Sequence, residues 1–186
     1  NADGSNPQPL TPVAGATFAP VVLPDAQTVV FQWLKGNERV MGSVPLAGGE
    51  ITELPPLTTN THLFAVSPDG KQIAFPFYDA QSARYKVRAR PREAEEPSVV
   101  FDITPTAFLN WTVDGKGLLY RELDPRRFPR STVMFQPVSG GEPKPFLAFK
   151  SDTVVSVSQS KDGKQTLIVL DKFVTDAVML SQIRPN

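Results

Sequence analysis

The side chains able to do chemistry are few in this 186-residue sequence, and their spacing excludes more than it permits. His62 is the only histidine, and cysteine is absent. A Ser–His–Asp relay would have to run through His62, yet no Gly-x-Ser-x-Gly elbow supplies its nucleophile. Zinc sites built on two or more histidines, or on thiolates, fail by count. Four Asp-centred turns, at Asp25, Asp69, Asp114 and Asp162, suggest calcium at first sight. None continues as Asp-x-[Asp/Asn]-x-[Asp/Asn]-Gly, so they read as hairpin chemistry. No Gly-x-x-x-x-Gly-Lys-[Ser/Thr] or Gly-x-Gly-x-x-Gly string offers a phosphate cradle, and no cofactor or metal is expected. Acid–base work would fall to carboxylates facing a channel, for example Asp79 and Asp171.

Binding chemistry has more support. The stretch Glu122–Arg130 sets Arg126, Arg127 and Arg130 around Phe128, stiffened by Pro125 and Pro129. Arginines flanking an aromatic ring have the composition of an interface anchor. The plainer reading is a surface loop whose arginines pair with Glu122 and Asp124. Equivalent connections at Lys35–Glu38, Tyr78–Arg84 and Asp171–Asp176 add Tyr78, Arg84, Lys172 and Phe173 as candidate partner-binding residues. His62 is the channel-side candidate. The mixed charges Arg88, Arg90, Arg92, Glu93, Glu95 and Glu96 read as a solvated outer rim that blocks edge pairing. Asn110-Trp111-Thr112 is formally a glycosylation sequon, but it falls inside an expected innermost strand and reads as coincidence.

The elements that must position these residues follow from an internal repeat. Val22–Phe31, Val66–Phe75, Trp111–Tyr120 and Gln159–Ile168 align on their turn aspartates, which lie 44, 45 and 48 residues apart. That period, with several short apolar runs per unit, marks a β-propeller blade. Nineteen prolines would break a helical solenoid of similar period. The expected fold is all-β, a propeller of four-stranded antiparallel blades, with about four blades' worth in one domain spanning 1–186. The units cover about 17–55, 61–104, 106–150 and 153–186, each read as strands a (innermost) to d (outermost). The last unit stops after strand c, expected at Ala177–Ile183, and residues 7–12 read as the strand d that completes it. An arc of a larger ring, or a homodimer completing one, is the alternative. Ala26 stands where other units have Gly70, Gly115 and Gly163, so the first hairpin should be a different turn type or strained.

The strings Val66–Phe75 and Trp111–Tyr120 resemble the repeat of TolB-like and WD40-like bacterial propellers. Asp171–Leu180 resembles the closing blade of propellers attached to bacterial transmembrane Ser/Thr protein kinases. The resemblance implies a propeller that binds something, often in an extracytoplasmic or periplasmic place, and it transfers no catalytic residue, since the motif residues build turns. Composition agrees with a folded binding module. Nineteen basic and nineteen acidic residues leave no net attraction for nucleic acid or an anionic membrane, and 40% hydrophobic side chains suffice for a core. No apolar run reaches the roughly 20 residues of a membrane span, so no membrane insertion by this segment is expected. Asn1 in place of Met points to a piece of a larger bacterial protein. The expected function is a non-catalytic binding or sensor module for a protein or small ligand. The alternative is a hydrolase, a lyase or the propeller gate of a peptidase.

Overall fold

The computed structural model describes residues 5, 7–11, 16–57, 61, 63–106, 108–122, 131–150 and 152–171. Short segments of two to eight residues separated by Asp-Gly and Pro-rich turns give only strands among them. The first blade comprises β1 (Thr17–Val22), β2 (Thr28–Lys35), β3 (Glu38–Pro45) and β4 (Thr52–Leu54). The second holds β5 (Ala65–Val66), β6 (Gln72–Asp79), β7 (Arg84–Pro91) and β8 (Val99–Ile103). The third holds β9 (Leu109–Trp111), β10 (Gly117–Glu122), β11 (Ser131–Pro137) and β12 (Lys144–Phe149). The fourth begins with β13 (Thr153–Gln159) and β14 (Thr166–Asp171). Each sheet is an antiparallel meander in chain order. Strand c of the last unit and residue 12 lie outside the described residues. Residues 7–11 carry no strand, and Leu10 packs on the first blade.

The a–b hairpins share one backbone turn, and three of the four share its side-chain bonds. In the second blade Gly70 N–H donates to Ser67 C=O (2.8 Å) and Ser67 N–H to Gln72 C=O (2.9 Å). Asp69 takes the Ser67 hydroxyl (2.5 Å) and the Lys71 amide (3.0 Å), while Ser67 Oγ accepts from Gln72 N–H (2.9 Å). Thr112/Asp114 and Ser160/Asp162 repeat this pattern. The first blade differs by a relocation: Leu23 replaces the hydroxyl residue, and Asp25 is served by the Gln27 and Thr28 amides and the Thr28 hydroxyl. Leu23 is buried in the contact between the first two blades, so an apolar demand displaced the hydroxyl to the other side of the turn. Ala26 holds φ +55°, matching the +73°, +70° and +70° of Gly70, Gly115 and Gly163. The turn type is therefore conserved among the four units and the strain falls on Ala26.

Blades stack in sequence order. The residue five after each turn aspartate faces the following blade: Val30 packs with Ile73 and Phe75, Ala74 with Leu118 and Tyr120, and Leu119 with Val154 and Val157. Residues four and six after the aspartate face the preceding blade, so both sheet faces are buried. Polar ties reinforce the stack. Trp111 Nε1–H reaches Ala65 C=O (3.2 Å), Val113 N–H reaches Gln159 Oε1 (3.1 Å), and Arg121 Nη1–H reaches Val154 C=O (2.7 Å). The turns touch as well, since a Cβ on Gly70 would sit 3.3 Å from Pro24 Cδ. Sheets arranged this way about a common axis form a β-propeller.

One expectation is corrected by burial. Arg90 is only 2% exposed. Its guanidinium lies 5.6 Å from the Phe75 ring centroid and donates to the carbonyls of Pro91, Ala94, Pro55 and Pro56. It closes the β7–β8 hairpin from within and ties it to the connection leaving the first blade. Gln136 does the same for the β11–β12 hairpin, donating to Pro137 and Gly141 carbonyls. The solvated rim is real only for neighbours such as Glu93, which pairs with Arg92.

Candidate functional site

All four inner strands contribute to one axial cavity of about 250 Å³, lined by Val21, Phe64, Ala65, Val66, Asn110, Trp111, Leu119, Val157, Ser158 and Gln159. Among the described residues that line it, the polar groups are amides and a hydroxyl, with no carboxylate. Asn110 Nδ2 donates to Val157 C=O (2.6 Å), so the sequon amide already bridges two blades. Among the described residues no cluster of three or more His, Cys, Asp or Glu is placed to hold a metal.

The two acids expected at the channel behave otherwise. Asp79, at the end of β6, accepts from Lys86 Nζ (2.6 Å), Ser82 Oγ (2.6 Å) and the Gln81 amide (3.2 Å). The Lys86 hydrogen bond, then the Ser82 hydroxyl, holds its pKa down at about 2. A group so firmly ionised is a poor general acid at neutral pH. Asp171 ends β14 and is exposed.

The loop rim at the b–c ends carries the exposed aromatic surface. In the register of the second blade Tyr78 faces Tyr85, and Tyr85 faces Ile103, so the three share one sheet face. Ile103 packs on the contact with the third blade, which fixes that face toward the third blade. The tyrosine rings meet edge to face, centroids 5.2 Å apart, and are 55% and 43% exposed. Arg84 is locked to Asp102 (2.6 Å) beside them. Across the gap the third blade presents Glu122 and Thr132, paired at the last rung before the chain leaves β10. The structure thus brings Tyr78 and Arg84 together at one rim. Arg126, Arg127, Phe128 and Arg130, with Lys172, Phe173 and His62, lie outside the described residues. Tyr85, Lys86 and Asp102 were missed in the sequence. The available signal was the short Tyr78–Arg84 connection, which forces Tyr85 opposite Tyr78 in an antiparallel hairpin.

A larger cleft of about 530 Å³ lies between the outer strands of the first blade and the β7–β8 hairpin. Its carboxylates are largely engaged, Glu53 with Lys35 and Glu93 with Arg92, which leaves Glu50.

No protein-family model matches the chain, and no curated protein matches it in sequence. Solved structures match in fold. TolB from Acinetobacter baumannii superposes with a TM-score of 0.70 at 19% identity, over 91% of this chain and 41% of that one. A protein assigned as TolB from Agrobacterium tumefaciens gives 0.65 at 15% identity, over 83% of this chain and 53% of that one. Prolyl oligopeptidase B from Galerina marginata gives 0.61 at 16% identity, over 87% of this chain and 28% of that one. The chain spans about half or less of the length of these proteins.

Proposed function

We propose that this chain is a non-catalytic β-propeller binding module whose b–c loop rim, between the second and third blades, receives a protein or small ligand. The carrying observation is the exposed Tyr78/Tyr85 pair beside the fixed Arg84–Asp102 ion pair. Aromatic rings that stay in water on the sheet face that buries Ala74, Val87 and Ala89 are suited to desolvation by a partner. The absence of carboxylates among the described residues lining the axial cavity, and Asp79 already engaged by Lys86 and Ser82, support a site without acid–base chemistry. In this reading Arg126, Arg127, Phe128 and Arg130 extend the same rim, Lys172 and Phe173 continue it onto the fourth blade, and His62 sits at the channel side. In the same reading residues 1–186 are one propeller domain, or an arc of one, within a larger bacterial protein. The resemblance of Asp171–Leu180 to kinase-attached propellers supports a sensor role in an extracytoplasmic compartment.

The test is cross-linking followed by capture with the intact chain, comparing Tyr78→Ala/Tyr85→Ala and a Gly/Ser replacement of 124–130 with Lys116→Ala on the opposite face. Capture lost in the rim variants and kept in Lys116→Ala is the expected result. Capture indifferent to both rim variants would remove the rim from consideration.

A second reading, a propeller that gates a peptidase domain, is favoured by the fold likeness to a prolyl oligopeptidase. Under it, widening the axial cavity with Trp111→Ala would change the size of peptide a partner hydrolase accepts.

A further inference from the structure

We infer that the cleft between the first and second blades is a binding site for a short neutral saccharide. The repeat shows how this cleft differs from its counterpart one blade on. Leu46, Arg92 and Val138 hold one place in their units, each donating its amide to the carbonyl two residues after the turn aspartate. Ser43 and Ala89 hold another, each opposite the residue five after that aspartate, on the face turned to the following blade. Between the second and third blades these places bring Ala89 and Val138 into one apolar cluster, which closes the gap. Between the first and second they bring Ser43 and Arg92 to the walls of a cleft of about 530 Å³. That volume falls in the range of roughly 300–1,000 Å³ found for small-ligand sites. A polar pair stands open where the next contact is apolar and shut.

The walls are tied to one another. The carbonyl of Pro55, which lines the cleft, accepts from the buried Arg90 of the second blade (2.8 Å), so the two blades are joined beside the opening and the site is preorganised. The lining selects the ligand. Glu50, Glu53 and Glu93 offer acceptors, Arg92 offers donors, and Ser43 and Thr52 offer both. Glu53 is paired with Lys35, and Glu93 with Arg92. An anion drawn to Arg92 would also face three carboxylates, and a cation drawn to Glu50 would share the cleft with Arg92. Sugar hydroxyls suit both signs, because each donates and accepts at once and carries no charge. Arg92 Nε is buried and, among the described residues, has no hydrogen-bond partner, so it is a donor that a ligand oxygen can satisfy. Pro45 and Pro55 add apolar surface against which the C–H faces of pyranose rings can lie.

Isothermal titration of the intact chain with maltotriose, cellotriose and tri-N-acetylchitotriose, each at millimolar concentration, tests this. At least one of these neutral probes should bind saturably, and trigalacturonate, the charged control, should not. Arg92→Val gives the second blade the residue type that the third carries, and should weaken binding about tenfold or more. Glu50→Ala changes an exposed side chain and should weaken it several-fold while the circular dichroism stays the same, which keeps the test decisive if Arg92→Val folds poorly. Failure of all three neutral probes to bind overturns the proposal, as does binding of trigalacturonate alone. Saccharide binding that Glu50→Ala and a folded Arg92→Val both leave intact overturns it as well, because the sugar would then sit elsewhere.

Discussion

Ala26 and Arg90 show how much one side chain can be asked to carry. Ala26 accepts a left-handed backbone that its three counterparts leave to glycine. Ala26→Gly should stabilise the fold by about 1 kcal/mol, because the steric penalty at positive φ disappears while the turn's hydrogen bonds remain. The converse, Gly70→Ala, should destabilise by a similar amount or more, since the new Cβ would also press on Pro24. Chemical denaturation of both variants checks the pair, and equal midpoints would contradict the strain. Burial pulls the Arg90 guanidinium below its usual pKa, and four carbonyls satisfy its two terminal nitrogens. Arg90→Met keeps much of the packing but orphans those carbonyls, and should cost roughly 3 kcal/mol.

At the scale of the hairpin, the turn carboxylates act as a pH-dependent set. Hydroxyl hydrogen bonds from Ser67, Thr112 and Ser160 are the main cause that lowers Asp69, Asp114 and Asp162 from 3.8, and the Gln27 amide leads for Asp25. A carboxyl lowered by folding stabilises the native state above its unfolded pKa, and that contribution is lost as pH falls through the folded value. The denaturation midpoint should therefore drop as pH falls from about 4 toward 2, with Asp79 extending the decline to its own pKa of about 2. Asp69→Asn/Asp114→Asn should flatten the upper part of that decline, and a slope unchanged from the unsubstituted protein would contradict the assignment. Above pH 5 the lowered carboxyls are ionised in both states and add no slope. The displaced hydroxyl of Thr28 belongs to the same scale: Thr28→Val removes a hydrogen-bond donor that Leu23 cannot replace.

At the scale of the whole molecule, the buried clusters between successive blades contribute to stability. Leu119 is fully buried where the third blade meets the fourth, so Leu119→Ala should cost 2–5 kcal/mol, the usual range for a buried leucine. Leu167→Ala, at the equivalent place on the fourth blade but exposed, should cost well under 1 kcal/mol. Thermal unfolding of the two variants separates these outcomes. The likeness to TolB and to a prolyl oligopeptidase at 15–19% identity belongs to this scale too, since it follows the blade stack over most of this chain.

The amino-acid sequence alone determined the repeat, the three Asp-Gly turns and the strand pattern, because Asp-Gly turns and short apolar runs act through contacts a few positions apart. It also placed Tyr78 and Arg84 on a common rim, since a hairpin's register follows from the length of its connection. The fate of Arg90 was not legible there. A charged residue beside glutamates reads as solvated until the Pro55 and Pro56 carbonyls arrive from 35 and 34 residues away to enclose it. Nor could sequence distinguish Leu119 from Leu167, two leucines at one place in the same repeat. Whether such a side chain is core or surface depends on whether another sheet lies against it, and only the tertiary arrangement of the blades decides that.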